Sequence, residues 1–275
     1  MPSITVDAIL FDMDGTLIDS TPGVLRAWDA FGRAYGFDGA AAAHDTHGRR
    51  LADTLAEWCK LGNDQEKLEA EIVHFENEVI QGGPVVLPGV LDLLEQINAG
   101  SSPSAYGWTI ITSGMYIPSP LHLLSSSSPD LAIPTKVFTP KALAICNVPI
   151  PAAGYVTSND IKNGKPHPDP FLAGAKQCGV DPTRCAYLVP FIDRILGRLV
   201  VEDAPSGLKA GRAAGAQTLA VCTSHTREKI EASGANPDFI VKDLTRVLAK
   251  WVDGKLVVDI DEATSDQPCS TNGIC

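Results

Sequence analysis

Near its amino terminus the chain reads VDAILFDMDGTLIDS over residues 6–20. The mostly apolar residues 6–11 predict a strand that is buried inside a sheet. This strand ends at Asp12, and Asp14 follows within a turn that also contains a glycine. Open α/β sheets bind their ligands at the carboxyl ends of the strands. The two carboxylates therefore predict an active site in which one acid is the nucleophile and the other transfers protons.

The segment from residue 21 to about residue 80 has apolar residues at helical spacing and predicts no strand. Three helices are expected, with apolar faces formed by Val24, Leu25, Trp28 and Phe31, by Leu51, Leu55 and Trp58, and by Leu68, Ile72, Phe75 and Val79. Two glycines and a proline at residues 82–84 end the pattern. The segment is too long for a simple crossover between strands, so it predicts a separate helical cap.

Strands and helices alternate in the rest of the chain. The expected strands are 108–111, 199–201 and 218–221, and the expected helices are 90–97, 207–214 and 227–232. Residues 239–241 are expected to add an edge strand, followed by a helix with Leu244, Val247 and Trp251. This pattern predicts an α/β fold, a doubly wound parallel sheet with helices on both faces. The predicted division is a core of residues 1–18 and 84–260, a helical cap of residues 19–83, and a disordered tail of residues 261–275.

Further polar residues lie where ligands of such a sheet would bind. Thr112 follows the second predicted strand, and Glu202 and Asp203 follow the third. Lys165 lies between them in the sequence NGKPHP of residues 163–168. The stretch FDMDGTLIDS resembles the first motif of the haloacid dehalogenase superfamily of phosphohydrolases. The other three groups resemble its second, third and fourth motifs in the same order, which implies the Rossmann-like core of that superfamily.

The resemblance also implies catalytic roles. Asp12 would be the nucleophile, and Asp14 would protonate the leaving oxygen and then activate water. Thr112 would donate a hydrogen bond to the transferring phosphoryl group, and Lys165 would neutralise the nucleophile and the phosphate together. Superfamily members that cleave carbon–halogen bonds lack the second aspartate, so Asp14 favours phosphate ester chemistry.

A magnesium ion is expected at the same place. The carboxylates of Asp12, Asp14, Glu202 and Asp203 would crowd an anionic phosphate, and this repulsion requires a cation such as Mg²⁺ besides the lysine. The ligands implied by the resemblance are the Asp12 side chain, the backbone carbonyl of Asp14, and Asp203. Glu202 would be either a further ligand or the holder of a metal-bound water.

The predicted function is that of a Mg²⁺-dependent phosphatase that hydrolyses a small phosphate monoester through an aspartyl-phosphate. The helical-cap arrangement and residues 19–22, 164–170 and 202–207 look most like fungal glycerol-phosphate and 2-deoxyglucose-6-phosphate phosphatases. The predicted substrate-binding residues are Thr16, Ser113, His47, Arg49 and Arg50. The alternative for the two arginines is that they are surface charges at the start of a helix.

Three other functions stay open. A phosphomutase would use the same catalytic set and would hold a second phosphate in its cap. A prenyl- or terpenyl-phosphate phosphatase would need an apolar cap pocket, which Trp28, Phe31 and Trp58 would line unless they are only core residues. An inactive member would be a binding or regulatory protein.

Charge and composition restrict the partners. With 22 Lys and Arg against 33 Asp and Glu, the net charge is −11, which disfavours nucleic acid and anionic membranes. No signal peptide and no long apolar stretch is evident. The seven cysteines show no metal-binding spacing, so reduced thiols are expected, with the pairing of Cys269 and Cys275 left open. We interpret the chain as a cytoplasmic monomer or weak homodimer that acts on a small molecule.

Two stretches do not match the expected fold. Residues 115–136 contain four prolines and a run of serines where a helix should begin. Residues 186–198 add an apolar segment just before the strand at 199–201. The hypothesis is that neither belongs to the ancestral fold, and translated intron sequence in a gene model is one explanation.

Overall fold

The computed structural model describes residues 1–46, 51–102, 105–112, 135–157, 160–180 and 197–262. The strands in these ranges are β1 (Ser3–Phe11), β2 (Ile18–Asp19), β3 (Val85–Val86), β4 (Trp108–Ile111), β5 (Tyr155–Val156), β6 (Gly197–Glu202), β7 (Gln217–Val221), β8 (Phe239–Val241), β9 (Val247–Val252) and β10 (Lys255–Ile260). The α-helices are α1 (Thr21–Tyr35), α2 (Gly39–Asp45), α3 (Leu51–Trp58), α4 (Gln65–Gln81), α5 (Val90–Asn98), α6 (Thr135–Ile145), α7 (Asp169–Gln177), α8 (Pro205–Ala213) and α9 (Arg227–Ala232). Within these ranges, no helix combines the length and the apolar character that crossing a membrane requires.

The central sheet has the strand order β5-β4-β1-β6-β7-β8, and each neighbouring pair in it is parallel. Alternate residues of β1 pack on opposite faces of the sheet. Ile9 and Phe11 join the apolar cluster that includes α5, whereas Ala8 and Leu10 join the cluster that includes α7 and α8. A strand that is buried on both faces explains the continuous apolar run. The predicted doubly wound parallel sheet is confirmed, and β8 is the predicted edge strand.

The prediction of a helix containing Leu244, Val247 and Trp251 is wrong. Only a short 3-10 helix, Leu244–Arg246, is present, and β9 and β10 then form an antiparallel hairpin. The turn is Asp253-Gly254, whose φ angles of 49° and 72° are both positive, as in the tight turns of hairpins. β10 also pairs antiparallel with the first half of β1, so the sheet is mixed at this side.

Helices α1 to α4 pack around an apolar cluster of their own. The rings of Trp28 and Phe31 lie 4.9 and 5.4 Å from the ring of Phe75, centroid to centroid. Helix α2 is not among the three predicted helices, because four of its seven residues are alanines and it lacks large apolar residues at helical spacing. Of the four residues predicted for the apolar face of α1, Leu25 is 51% exposed.

The first and last of these helices meet at two glycines. A Cβ atom on Gly82, which follows α4, would lie 2.3 Å from the Cα of Gly23 in α1. We therefore expect Gly82→Ala to lower the free energy of unfolding by about 1–3 kcal/mol, because backbone would have to move to admit the methyl group. Urea unfolding measures the change. Gly197→Ala is the control, since its Cβ meets no atom within 4 Å, and equal losses in both variants would contradict the prediction.

Most of the two stretches that do not match the expected fold lies outside the described residues, and the hypothesis about them stays a prediction. Their boundaries need correction. Residues 135–136 belong to α6 and residues 197–198 to β6. Arg198 is buried, pairs with Ala8 across the sheet, and donates a hydrogen bond to the Ala214 carbonyl at 2.7 Å.

The segment predicted as a disordered tail begins with two residues that bind to the fold. Asp261 accepts a hydrogen bond from Arg246 at 2.8 Å, and Glu262 accepts one from the backbone of Ile240 at 2.9 Å. Cys269 and Cys275 lie outside the described residues, so the question of their pairing stays open. The described cysteines Cys59, Cys146, Cys178 and Cys222 are free thiols.

Candidate active site

Three carboxylates converge at the carboxyl ends of β1 and β6. Asp12 directly follows β1, while Glu202 ends β6 and Asp203 follows it. The two strands are parallel neighbours with Phe11 opposite Val201, so both chains leave the sheet at the same edge. Carboxylate oxygens of the three acids lie within 4.8 Å of one another, and all three residues are buried.

Lys165 joins two of these acids. Its Nζ atom bonds to Asp12 Oδ1, donates to Glu202 Oε1 at 2.8 Å, and lies 3.4 Å from the carbonyl oxygen of Ile111. The lysine side chain is only 6% exposed. Burial acts to lower the pKa of Lys165, but the carboxylates of Asp12 and Glu202 outweigh it and raise the pKa above its usual value. The lysine is therefore a fixed positive charge in the cluster.

Burial disfavours the charged forms of the acids in the absence of a further cation. Burial raises the pKa of Asp12 well above its usual range, although Lys165 partly opposes this effect. Burial also raises the pKa of Asp203 to about 7, and the neighbouring Glu202 adds to the shift. The same cause raises the pKa of Asp14. A cluster of hard oxygen donors with more carboxylates than ammonium groups fits a cation such as Mg²⁺.

Asp14 and Asp203 are held by hydroxyl groups. Ser20 Oγ donates to Asp14 Oδ1 at 2.6 Å, and Ser224 donates to Asp203. Thr16 Oγ1 donates to Asp203 Oδ1 at 3.4 Å, so its contact is with an acid of the cluster. None of the three contacts was evident in the sequence pattern, although Ser20 lies within the first motif and Ser224 follows β7 closely.

The turn after β1 requires its glycine. Gly15 has a φ angle of +86°, and a Cβ atom there would lie 2.2 Å from Asp203 Oδ2. The α8 helix approaches the cluster equally closely, because a Cβ on Gly207 would lie 1.5 Å from Glu202 Oε1. Glu202 Oε2 accepts a hydrogen bond from the backbone of Ala204 at 2.8 Å. The two glycines thus allow backbone to pack directly against the acids.

The remaining predicted site residues lie outside the carboxylate cluster or outside the described residues. Thr112 is buried at the end of β4, and its backbone N–H donates to the Val156 carbonyl at 2.9 Å. Its neighbour Ile111 contacts Lys165. Neither Thr112 nor Thr16 lines the cavity between the carboxylate cluster and helices α1 to α4. Ser113, His47, Arg49 and Arg50 lie outside the described residues, and their roles stay predictions.

A cavity of about 380 Å³ lies between the carboxylate cluster and helices α1 to α4. Its sheet side includes Asp12, Asp14, Lys165, Glu202 and Asp203. Its helical side is lined by Val24, Leu25, Trp28, Ala43, Thr46, Leu51, Thr54, Phe75, Glu76 and Val79. Of the three aromatic residues considered for an apolar pocket, Trp28 lines the cavity, whereas Phe31 and Trp58 pack within the helical cluster. The volume is at the lower end of the range for small-molecule sites.

Comparison with known proteins agrees with this arrangement. A family model described as haloacid dehalogenase-like hydrolase matches residues 6–188. Glycerol-1-phosphate phosphohydrolase 1 of Saccharomyces cerevisiae is 30% identical, over 88% of this chain and 84% of its own length. The 2-deoxyglucose-6-phosphate phosphatase 2 of the same yeast is 29% identical, over 90% of this chain and 92% of its own length. The resemblance found in the motifs is thereby confirmed.

A solved structure extends the agreement to the fold. The HAD hydrolase, family IA, variant 3, from Entamoeba histolytica superposes with a TM-score of 0.64 and covers 86% of this chain and 93% of its own, at 17% identity. Both yeast relatives are named for the removal of phosphate from a phosphate monoester. The predicted enzyme class, a phosphoric monoester hydrolase, is confirmed. The chain belongs to the haloacid dehalogenase-like hydrolase family.

Proposed function

We propose that the chain is a Mg²⁺-dependent phosphatase that hydrolyses a polyol or sugar phosphate through an aspartyl-phosphate intermediate. The observation that carries this proposal is the position of Asp12. It lies at the end of β1, in contact with Lys165, on the wall of a cavity that Asp14 also lines. A nucleophile, a proton donor and a cation thus face the same small space.

In the first step, a carboxylate oxygen of Asp12 attacks the phosphorus atom. The bond between phosphorus and the ester oxygen breaks, and Asp14 gives its proton to the leaving oxygen. Lys165 offsets the negative charge of Asp12 and of the phosphate as they approach each other. The alcohol departs and leaves an acyl phosphate on Asp12.

In the second step, Asp14 takes a proton from a water molecule, whose oxygen attacks the same phosphorus atom. The bond between phosphorus and the Asp12 oxygen breaks, which releases inorganic phosphate and regenerates both carboxyl groups. Ser20 holds Asp14 through a hydrogen bond of 2.6 Å. This contact supports a fixed position for the acid in both steps.

The residues that would hold Mg²⁺ are Asp12, Asp203 and the backbone carbonyl of Asp14, with Glu202 as a ligand or as the holder of a bound water. When bound, the ion would withdraw negative charge from the phosphoryl group and orient it toward Asp12. The convergence of Asp12, Glu202 and Asp203 supports this assignment. Glu202 already bonds to Lys165 and to the Ala204 backbone, which favours the indirect role.

Residues 19–83 would act as the cap that encloses the substrate, with residues 1–18 and 84–260 as the core. The separate apolar cluster of α1 to α4 supports this division. The relatives' names point to substrates with a hydroxylated leaving group. A phosphomutase is the second candidate function. It would transfer the phosphate rather than release it.

The test is a measurement of inorganic phosphate release from a panel of phosphates. We expect release from glycerol 1-phosphate and 2-deoxyglucose 6-phosphate in MgCl₂, and at least about a tenfold loss in EDTA that added Mg²⁺ reverses. AMP, a prenyl phosphate and a sugar bisphosphate complete the panel. Activity that is unaffected by EDTA would contradict the metal dependence. Release from none of the compounds would contradict the phosphatase proposal itself.

A further inference from the structure

Glu76 is a buried carboxylate on the helical side of the cavity. It lies on the face of α4 that also buries Ile72, Phe75 and Val79, and it is only 6% exposed. Together with Phe75 and Val79 it lines the cavity that Asp12 and Asp14 line from the opposite side. An acid at a helical position otherwise occupied by core residues requires an explanation.

No hydrogen bond or ion pair joins Glu76 to any residue in the described ranges. Among the charged side chains that α1, α3 and α6 contribute there, only Lys141 of α6 acts on its pKa. Lys141 is exposed, and it does not approach within ion-pair distance. Burial outweighs this lysine and raises the pKa of Glu76 to about 7. Because Glu76 lines the cavity and has no donor among the described residues, its carboxylate is placed to accept hydrogen bonds from a bound ligand.

Two of the other polar groups on this side of the cavity are engaged within their own segments. The buried hydroxyls of Thr46 and Thr54 donate to the carbonyls of Ala42 and Leu51 in their own segments, at 2.7 and 2.9 Å. Most of the remaining helical wall is apolar. Glu76 is therefore the charged group that the described part of the cap offers to a leaving group.

We propose that Glu76 determines specificity, by accepting hydrogen bonds from hydroxyl groups of the leaving alcohol and repelling a leaving group with a second phosphate. This inference rests on the proposed function and narrows its substrate class to phosphates of neutral, hydroxylated alcohols. It disfavours a phosphomutase, whose substrate carries a second phosphate in the cap. It also disfavours a prenyl phosphate, whose chain would leave the carboxylate buried without a donor.

The test is Glu76→Gln, which keeps the size of the side chain and removes its charge. We expect the ratio of kcat/KM for glycerol 1-phosphate to kcat/KM for p-nitrophenyl phosphate to fall by about tenfold, because hydrogen bonds from hydroxyls to a neutral amide oxygen are weaker than those to a carboxylate and only the first substrate offers such donors. The ratio for glucose 1,6-bisphosphate against p-nitrophenyl phosphate should rise. Glu66→Gln makes the same change at an exposed position of the same helix and should leave both ratios as they are.

A second measurement separates this role from a structural one. Above pH 7 the carboxylate is ionised and buried, so its removal should raise the folding equilibrium constant of the free protein at pH 8 by about tenfold or more. The variant should be more stable at pH 8 because the pKa of Glu76 is raised in the folded protein. The protonated carboxyl group favours the folded state, and this contribution to stability is present below about pH 4.5 and is lost as the pH rises through about 7. Urea unfolding at pH 8 measures the change.

The outcomes are distinct. If the wild-type protein hydrolyses glycerol 1-phosphate and Glu76→Gln leaves the ratio unchanged, the inference is overturned and the proposed function stands. A variant that is less stable and loses activity on every substrate equally would also overturn it, in favour of a structural role. If the wild-type protein releases phosphate from no substrate, the proposed function is refuted, and the inference that rests on it is overturned with it.

Discussion

Asp12→Asn is expected to abolish phosphate release, with a loss in kcat of at least about 10⁴-fold. An amide has no carboxylate oxygen to attack phosphorus. The fold should survive, because the change removes one of several crowded carboxylates. We expect the free energy of unfolding of the metal-free protein to stay equal or to rise. Phosphate release and urea unfolding measure the two effects.

Acid quenching during turnover provides a direct test of the intermediate. The wild-type protein should carry phosphate on the peptide that contains Asp12, and the variant should carry none. Asp29→Asn is the control, since that aspartate is exposed on α1 and, among the described residues, forms its ion pair with Arg33. Retention of more than a few per cent of activity in Asp12→Asn would refute the assignment of the nucleophile.

Asp14→Asn is expected to slow hydrolysis of glycerol 1-phosphate by about 10²–10⁴-fold, the range for loss of a general acid. An alkoxide is a poor leaving group and needs a proton, which Asp14 is proposed to supply. Nitrophenolate leaves without one, so p-nitrophenyl phosphate should lose much less in the step that forms the aspartyl-phosphate. Single-turnover kinetics with both substrates isolate this step from the later attack by water.

Asp19→Asn is the matched control for this variant. Asp19 lies in the same segment, but its side chain accepts a hydrogen bond from the backbone of Thr21 and does not line the cavity. The Asp19 charge contributes to the raised pKa of Asp14, so its substitution should change both rates by no more than a few-fold. Equal losses for the two substrates in Asp14→Asn would refute the role in proton transfer.

The sequence predicts the convergence of carboxylates at one edge of the sheet because the relevant signal is local. An apolar run followed by Asp12, and another followed by Glu202 and Asp203, are each visible within ten residues. Parallel pairing then brings these strand ends together without further information. The cap helices are similarly visible, since large apolar residues recur at helical spacing along α1, α3 and α4.

The features that the sequence interpretation missed depend on contacts between distant segments or on a competing local signal. Ser224 is recognisable as a partner of Asp203 only after β6 and β7 are paired. The helix expected after β8 fails because Asp253-Gly254 is a hairpin turn and the residues before it alternate between buried and exposed. Glu76 was visible as an acid on an apolar helical face, but its importance depends on the cavity that it lines.

The pairing of β10 with β1 has a consequence for synthesis on the ribosome. β1 leads into Asp12, the proposed nucleophile, and lies at the centre of the sheet, yet its partners are β4, β6 and β10. Contacts between Ser3 and Asp259 span nearly the whole described chain, and such non-local pairing is slow to form. While translation proceeds, β1 leaves the ribosome first and must wait for strands made much later. A nascent chain would therefore expose the apolar β1 for most of its synthesis, the condition under which chaperones protect emerging strands.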